Sequence, residues 1–161
     1  MSEPRDASNP SGRAVPARVR ADREPARIPE RRPDGTVVVD STWGTVQPMR
    51  IAPGVETIGE LELVEHLEAG GRLIDTRVPE SVAKGTIPGA EAIPSAEIAG
   101  RAASFTPDRP AVLYCNGPQC LATPRSIRAL LDAGVEPAAL RYYRGGLHDW
   151  VGLGYRLELP A

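Results

Sequence analysis

The sequence predicts an α/β sandwich in which a mainly parallel sheet is flanked by helices. Three observations carry this. Short aliphatic runs alternate along the chain with segments of helical spacing. Helix-start signals, Thr57-Ile58-Gly59-Glu60 and Thr123-Pro124, precede two of the helical segments. Glycines at 70, 71 and 134 end those segments. Strands that alternate with helices favour a parallel sheet covered on its faces.

In order, residues 1–35 carry eight arginines against six acidic residues and six prolines. Their only branched apolar residues are Val15, Val19 and Ile28. Such a stretch buries too little apolar surface to offset an ordering cost of about 1–2 kcal/mol per residue. It is expected to be a disordered Arg/Pro-rich tail. Residues 36–54 open on Val37-Val38-Val39 and are broken by Pro48 and Pro53. They are expected to form an extended N-terminal arm packed on the domain, with Trp43 as an anchor.

Residues 55–161 form the expected domain. Leu61, Leu63, Val64 and Leu67 follow the first capping signal as a helix. Arg72–Thr76 reads as a buried strand, and residues 90–93 as another. Residues 96–103 read as a short helix, Pro110–Tyr114 as a strand, and the segment after Thr123 as a helix with Ile127, Leu130 and Leu131 on its apolar face. Residues 140–144 and 147–153 read as a last strand and short helix.

Composition excludes several classes. A chain of 161 residues suits one domain with tails. A net charge of -2 and 4% aromatics argue against a nucleic-acid partner, both as a basic binder and as a stacking platform. No apolar run approaches the roughly 20 residues of a membrane span, and residues 2–35 lack a signal-peptide apolar core. The expectation is a cytoplasmic protein with reduced thiols and no membrane partner. Two cysteines and two histidines give no recognised zinc spacing, so no metal is expected.

The chemistry concentrates in residues 112–126, VLYCNGPQCLATPRS. Cys115 ends an apolar strand, where ligand sites gather in α/β sheets. The loop Asn116, Gly117, Pro118, Gln119, Cys120 and Leu121 then leads into a helix. Backbone amides turned inward by such a loop, with the helix N-terminus, favour a thiolate. Cys115 is therefore expected to have a depressed pKa and to act as a nucleophile. A small buried hydrophobe is the competing reading of this residue.

Four segments then resemble the rhodanese domain in order: Leu73-Ile74-Asp75-Thr76-Arg77; Gly85-Thr86-Ile87-Pro88-Gly89-Ala90 with Ile93-Pro94; Leu113-Tyr114-Cys115; and Arg144-Gly145-Gly146-Leu147-His148-Asp149-Trp150 with Gly154-Tyr155. Thr86 stands where the family motif has histidine, and the loop glycine, Gly117, comes one place early. The resemblance implies a rhodanese-like three-layer sandwich and a sulfurtransferase. Cys115 aligns with the cysteine that carries a persulfide. A donor such as thiosulfate would load it, and a thiol, cyanide or a protein acceptor would unload it, without a cofactor. A persulfide carrier or a protein-binding module is the alternative. A cysteine phosphatase or arsenate reductase fits less well, because Leu121 stands six places after Cys115, where such a cradle closes with arginine.

Cys120 is a candidate redox partner of Cys115, with loop packing as the competing reading. Arg125 is a candidate contact for an anionic donor. Asp75 and Arg77 are expected to hold the strand end as a structural pair. Arg144 is read mainly as a solvated arginine, and a Cys115–His148–Asp149 triad is set aside. Tyr142, Trp150 and Leu153 are expected in the core or the cleft wall.

Overall fold

A computed structural model describes residues 30–31, 33–34, 37–38 and 46–160. The chain divides into two units, residues 1–43 and 44–161. In the first, strands β1 (Glu30–Arg31) and β2 (Val37–Val38) pair antiparallel, with Glu30 opposite Val38. This places a short strand within the stretch expected to be a tail. Trp43 lies outside the described residues.

The second unit contains β3 (Glu56–Ile58), α1 (Glu60–Glu68), β4 (Arg72–Asp75), α2 (Pro79–Val82), β5 (Glu91–Ala92), β6 (Ala111–Tyr114), α3 (Ala122–Asp132), β7 (Leu140–Tyr143) and α4 (Gly146–Gly152). The strands make one five-stranded sheet in the order β3-β7-β6-β4-β5, and every neighbouring pair is parallel. Among the described residues no helix is long and apolar enough to cross a membrane.

The apolar runs explain the layers. All four residues of β6 are buried, so the central strand is covered on both faces. Side chains alternate across it. Leu113 packs with Ile74, Tyr142, Ile127 and Leu130 on one face. Val112 and Tyr114 pack with Leu63, Leu73, Ile87 and Trp150 on the other. One face is thus covered by α3, the opposite face by α1 and α4. Burying each such aliphatic side chain contributes about 1.5–3 kcal/mol. Residues 46–54 meet this unit directly: Ile51 and Ala52 pack against the first cluster, and the Gln47 amide donates to the Pro118 carbonyl at 2.7 Å.

Both helix-start expectations are corrected. Thr57 lies in β3, and its hydroxyl donates to the Met49 carbonyl. The cap of α1 is Gly59, whose carbonyl accepts from Leu63 at 3.0 Å while Glu62 Oε2 accepts from its amide at 3.1 Å. Likewise α3 begins at Ala122, with Leu121 in the cap position, so Thr123 and Pro124 lie inside its first turn. Proline is tolerated there because first-turn amides have no partner within the helix. The segment expected as a helix over 96–103 is a 3-10 helix over Ile98–Ser104. Leu153, expected in the core or cleft wall, is 61% exposed at the end of α4.

Candidate active site

At the carboxyl ends of β4 and β6 the alternation of side chains sorts the polar residues onto two faces. Asp75 and Tyr114, partners in register, share the face covered by α1 and α4. Thr76 and Cys115, one residue further along, meet the start of α3.

On the first face, Arg77 grips Asp75 through Nε at 2.9 Å and Nη2 at 2.7 Å, and Nη2 also donates to the Gly85 carbonyl at 2.6 Å. Thr86 and Tyr114 hydroxyls each donate to Asp75 Oδ2 at 2.8 Å, and the Tyr114 oxygen accepts from the Ile87 amide at 3.0 Å. Burial opposes the Arg77 charge, and the bonds and charge of Asp75 outweigh it, so its pKa is raised. Burial and the Asp75 charge push the Tyr114 phenol well up, keeping it a neutral donor. Thr86 therefore supplies a hydroxyl to a closed network.

On the second face the loop is held from outside. The Cys115 carbonyl accepts from Leu147 and the Asn116 carbonyl from His148, both at 2.9 Å. These bonds turn two loop carbonyls toward the first turn of α4. The approach requires Gly146, at φ +59°: a Cβ there would lie 2.4 Å from the Cys115 carbonyl oxygen and 2.8 Å from the Gly117 nitrogen. Gln47 fastens the far side, donating to Pro118 and accepting from Arg144 Nε at 2.8 Å.

Inside, Cys115 is buried, with 1% of the residue exposed. It accepts from the Thr123 amide at 3.4 Å, and its thiol reaches the Cys120 carbonyl at 3.7 Å. The Thr123 hydroxyl bonds the Thr76 hydroxyl at 2.9 Å, which fixes the start of α3 against β4. A turn from the Cys120 amide to the Gly117 carbonyl at 3.0 Å brings Cys120 back toward Cys115, whose thiol meets its carbonyl. Both cysteines are free.

The pair shares its proton unequally, and this corrects the expected acidity of Cys115. The hydrogen bond with Cys120 and then burial push the Cys115 thiol up. The same bond, helped by amides of Ala122 and Asn116 against burial, brings Cys120 down to about 6. Of the two thiols, Cys120 is the one whose surroundings favour the thiolate.

Of the other candidates, Gly117 is buried, Pro118, Gln119 and Cys120 are half-buried, and Asn116 and Leu121 are exposed. Arg125 lies on the exposed side of α3 and Arg144 is half-buried. His148 Nδ1 lies 3.4 Å from Asp149, and both side chains are substantially exposed. Tyr142 is fully buried, and its hydroxyl has no hydrogen-bond partner among the described residues. Sequence reasoning missed the working role of Thr76, Thr123 and Gln47. The two threonines stood beside a strand end and a helix start, which was the one available signal.

The rhodanese-like domain family matches residues 60–153, more than half of the chain. An HTH-type transcriptional regulator of Mycobacterium tuberculosis is 41% identical over 96 residues, covering 59% of this chain and 41% of the regulator. The chain therefore spans less than half the length of that relative. Among solved structures, the rhodanese-like domain of an Anabaena protein is 27% identical with a TM-score of 0.55, covering 65% of this chain and 79% of the other. A full-length Lactobacillus plantarum protein is 25% identical with a TM-score of 0.55, covering 65% and 88%. With this match, a parallel five-stranded sheet and a cysteine loop at its carboxyl edge, the chain belongs to the rhodanese-like domain family.

Proposed function

We propose that the protein is a sulfurtransferase that carries sulfane sulfur on Cys115. The observation that carries this reading is the placement of the Cys115 sulfur: at the end of β6, inside the 115–121 loop, bonded to an amide of the first turn of α3. Such a position stabilises an anionic sulfur by a fixed dipole and a fixed donor.

The first step begins with proton transfer from the Cys115 thiol to Cys120. The Cys115 thiolate attacks the outer sulfur of a donor such as thiosulfate. A sulfur–sulfur bond forms to Cys115, the donor's own sulfur–sulfur bond breaks, and sulfite leaves with the electron pair. In the second step a thiol, a protein thiol or cyanide attacks the outer sulfur and returns Cys115 as thiolate. Two half-reactions through one covalent intermediate give ping-pong kinetics. A phosphatase reading lacks a clamp for a tetrahedral dianion, since Leu121 closes the loop and Arg125 faces solvent. The burial of Cys115 favours a second reading, a persulfide carrier with slow turnover.

The test is thiocyanate formation from thiosulfate and cyanide by the whole chain and by Cys115→Ala. Activity that requires Cys115 supports transfer. A persulfide that forms but turns over negligibly supports the carrier. Equal activity in both proteins overturns the assignment of Cys115.

A further inference from the structure

We propose that Cys120 gives this site a second outcome: it attacks the inner sulfur of the Cys115 persulfide, forming a Cys115–Cys120 disulfide and expelling the outer sulfur as hydrosulfide. The persulfide itself rests on the sulfur-transfer reading above; the exchange rests on where the second thiol lies.

Three features place it. The turn closed by the Cys120 amide on the Gly117 carbonyl reverses the loop, so residues five apart in sequence face each other. The Cys115 thiol reaches the Cys120 carbonyl at 3.7 Å, which sets the two residues against each other. The surroundings of the Cys120 thiol, the Cys115 thiol and the backbone of Ala122 and Asn116 among them, lower its pKa. A cysteine that merely packs a loop would sit among apolar atoms; this one sits among donors that stabilise its thiolate.

Burial directs the attack. An acceptor from solution meets the outer sulfur first. The inner sulfur belongs to a buried residue, and Cys120 is already beside it. In the exchange, a bond forms between the two cysteine sulfurs and the bond from Cys115 to the outer sulfur breaks. The electron pair stays with the outer sulfur, which takes the proton of the Cys120 thiol and leaves as hydrosulfide. The sulfane sulfur is reduced by two electrons, and the two cysteines are oxidised together. A dithiol reductant, small or protein, must then reopen the disulfide. Cys120 is half-buried and Cys115 buried, so the reductant approaches from the side of Cys120. The site thus stands between a reaction that supplies sulfane sulfur and one that consumes hydrosulfide, with a dithiol exchange closing the cycle.

The test uses the reduced, desalted full chain, anaerobic, with thiosulfate and no added thiol, read by intact mass, peptide mapping and hydrosulfide trapping. The wild type is expected to release stoichiometric hydrosulfide and to end with residues 115 and 120 joined. In Cys120→Ser and Cys120→Ala, loaded at a raised pH to the wild-type level of added sulfur and checked for folding by thermal melts, the persulfide should persist and hydrosulfide released per persulfide should fall at least about tenfold. A wild-type chain that keeps its persulfide beside a free Cys120 overturns the exchange and leaves sulfur transfer standing. So does hydrosulfide release at the wild-type rate from both variants. No persulfide in any of the three proteins overturns sulfur transfer, and the exchange with it.

Discussion

Two groups of side chains meet the same carboxyl edge of the sheet from opposite faces, and they differ in how fully their polar atoms are bonded. Around Asp75, the guanidinium of Arg77 and the hydroxyls of Thr86 and Tyr114 saturate one carboxylate, all of them buried. Around Cys115, one helix amide donates to the sulfur and the thiol reaches one backbone carbonyl, and the Tyr142 hydroxyl on that face has no partner among the described residues. The first group is closed and holds β4 and β6 to the Gly85–Ile87 segment. The second leaves the sulfur that the proposed transfer uses with few fixed bonds. A saturated buried network resists change, whereas an unsaturated one leaves room for chemistry.

The comparison is broken most severely by removing the reactive sulfur. Cys115→Ser is expected to lower thiocyanate formation by about 10³-fold or more while melting close to the wild type. On the opposite face the reverse pattern is expected. Asp75→Asn leaves the Arg77 charge buried without its carboxylate and should cost about 3–5 kcal/mol in urea unfolding. Should Asp75→Asn retain full stability, the network is not the fastening described. Gly146→Ala acts between these two. The added Cβ collides with backbone of the sulfur loop, so a loss of about 2–3 kcal/mol and a lower kcat are expected together.

A pH profile sharpens the sulfur side. Cys120, brought down to about 6, is a thiolate above that pH and protonated below it. Below it the Cys115 proton loses its acceptor, so transfer should fall by about tenfold per pH unit as pH drops. In Cys120→Ser this limb should move up toward the ordinary thiol range; an unchanged limb would show that Cys120 does not hold the proton. The smallest effect is expected at Tyr142. Tyr142→Phe removes a buried hydroxyl without a partner and should stabilise the fold by about 1 kcal/mol, visible as a raised Tm. The contrasting Tyr114→Phe should destabilise it, because that hydroxyl has three partners.

The strands and helix faces were legible because their signal is local: β6 is an unbroken apolar run, and Ile127 and Leu130 follow helical spacing. The position of Cys115 at a strand end was legible for the same reason. The helix starts were not. Thr57 and Thr123 carry the right hydroxyl for a cap, but Met49 and Thr76 compete for it from distant parts of the chain. Nor was the acidity of Cys115 legible. A loop with glycine and proline suggests many inward amides, yet one amide is bonded to Cys115, and the neighbouring Cys120 and burial push its thiol up. Spacing alone cannot show that the loop folds back to bring them together.

Mapping the sulfur taken up from thiosulfate tests the role of Cys115 most directly, using Cys115→Ser and Cys120→Ser in parallel. Digestion and mass analysis should find one added sulfur on the Cys115 peptide of Cys120→Ser. The Cys115→Ser chain should gain none. Sulfur bound to Cys120 in Cys115→Ser, with Cys115 bare in Cys120→Ser, would contradict it and move the reaction to the other thiol.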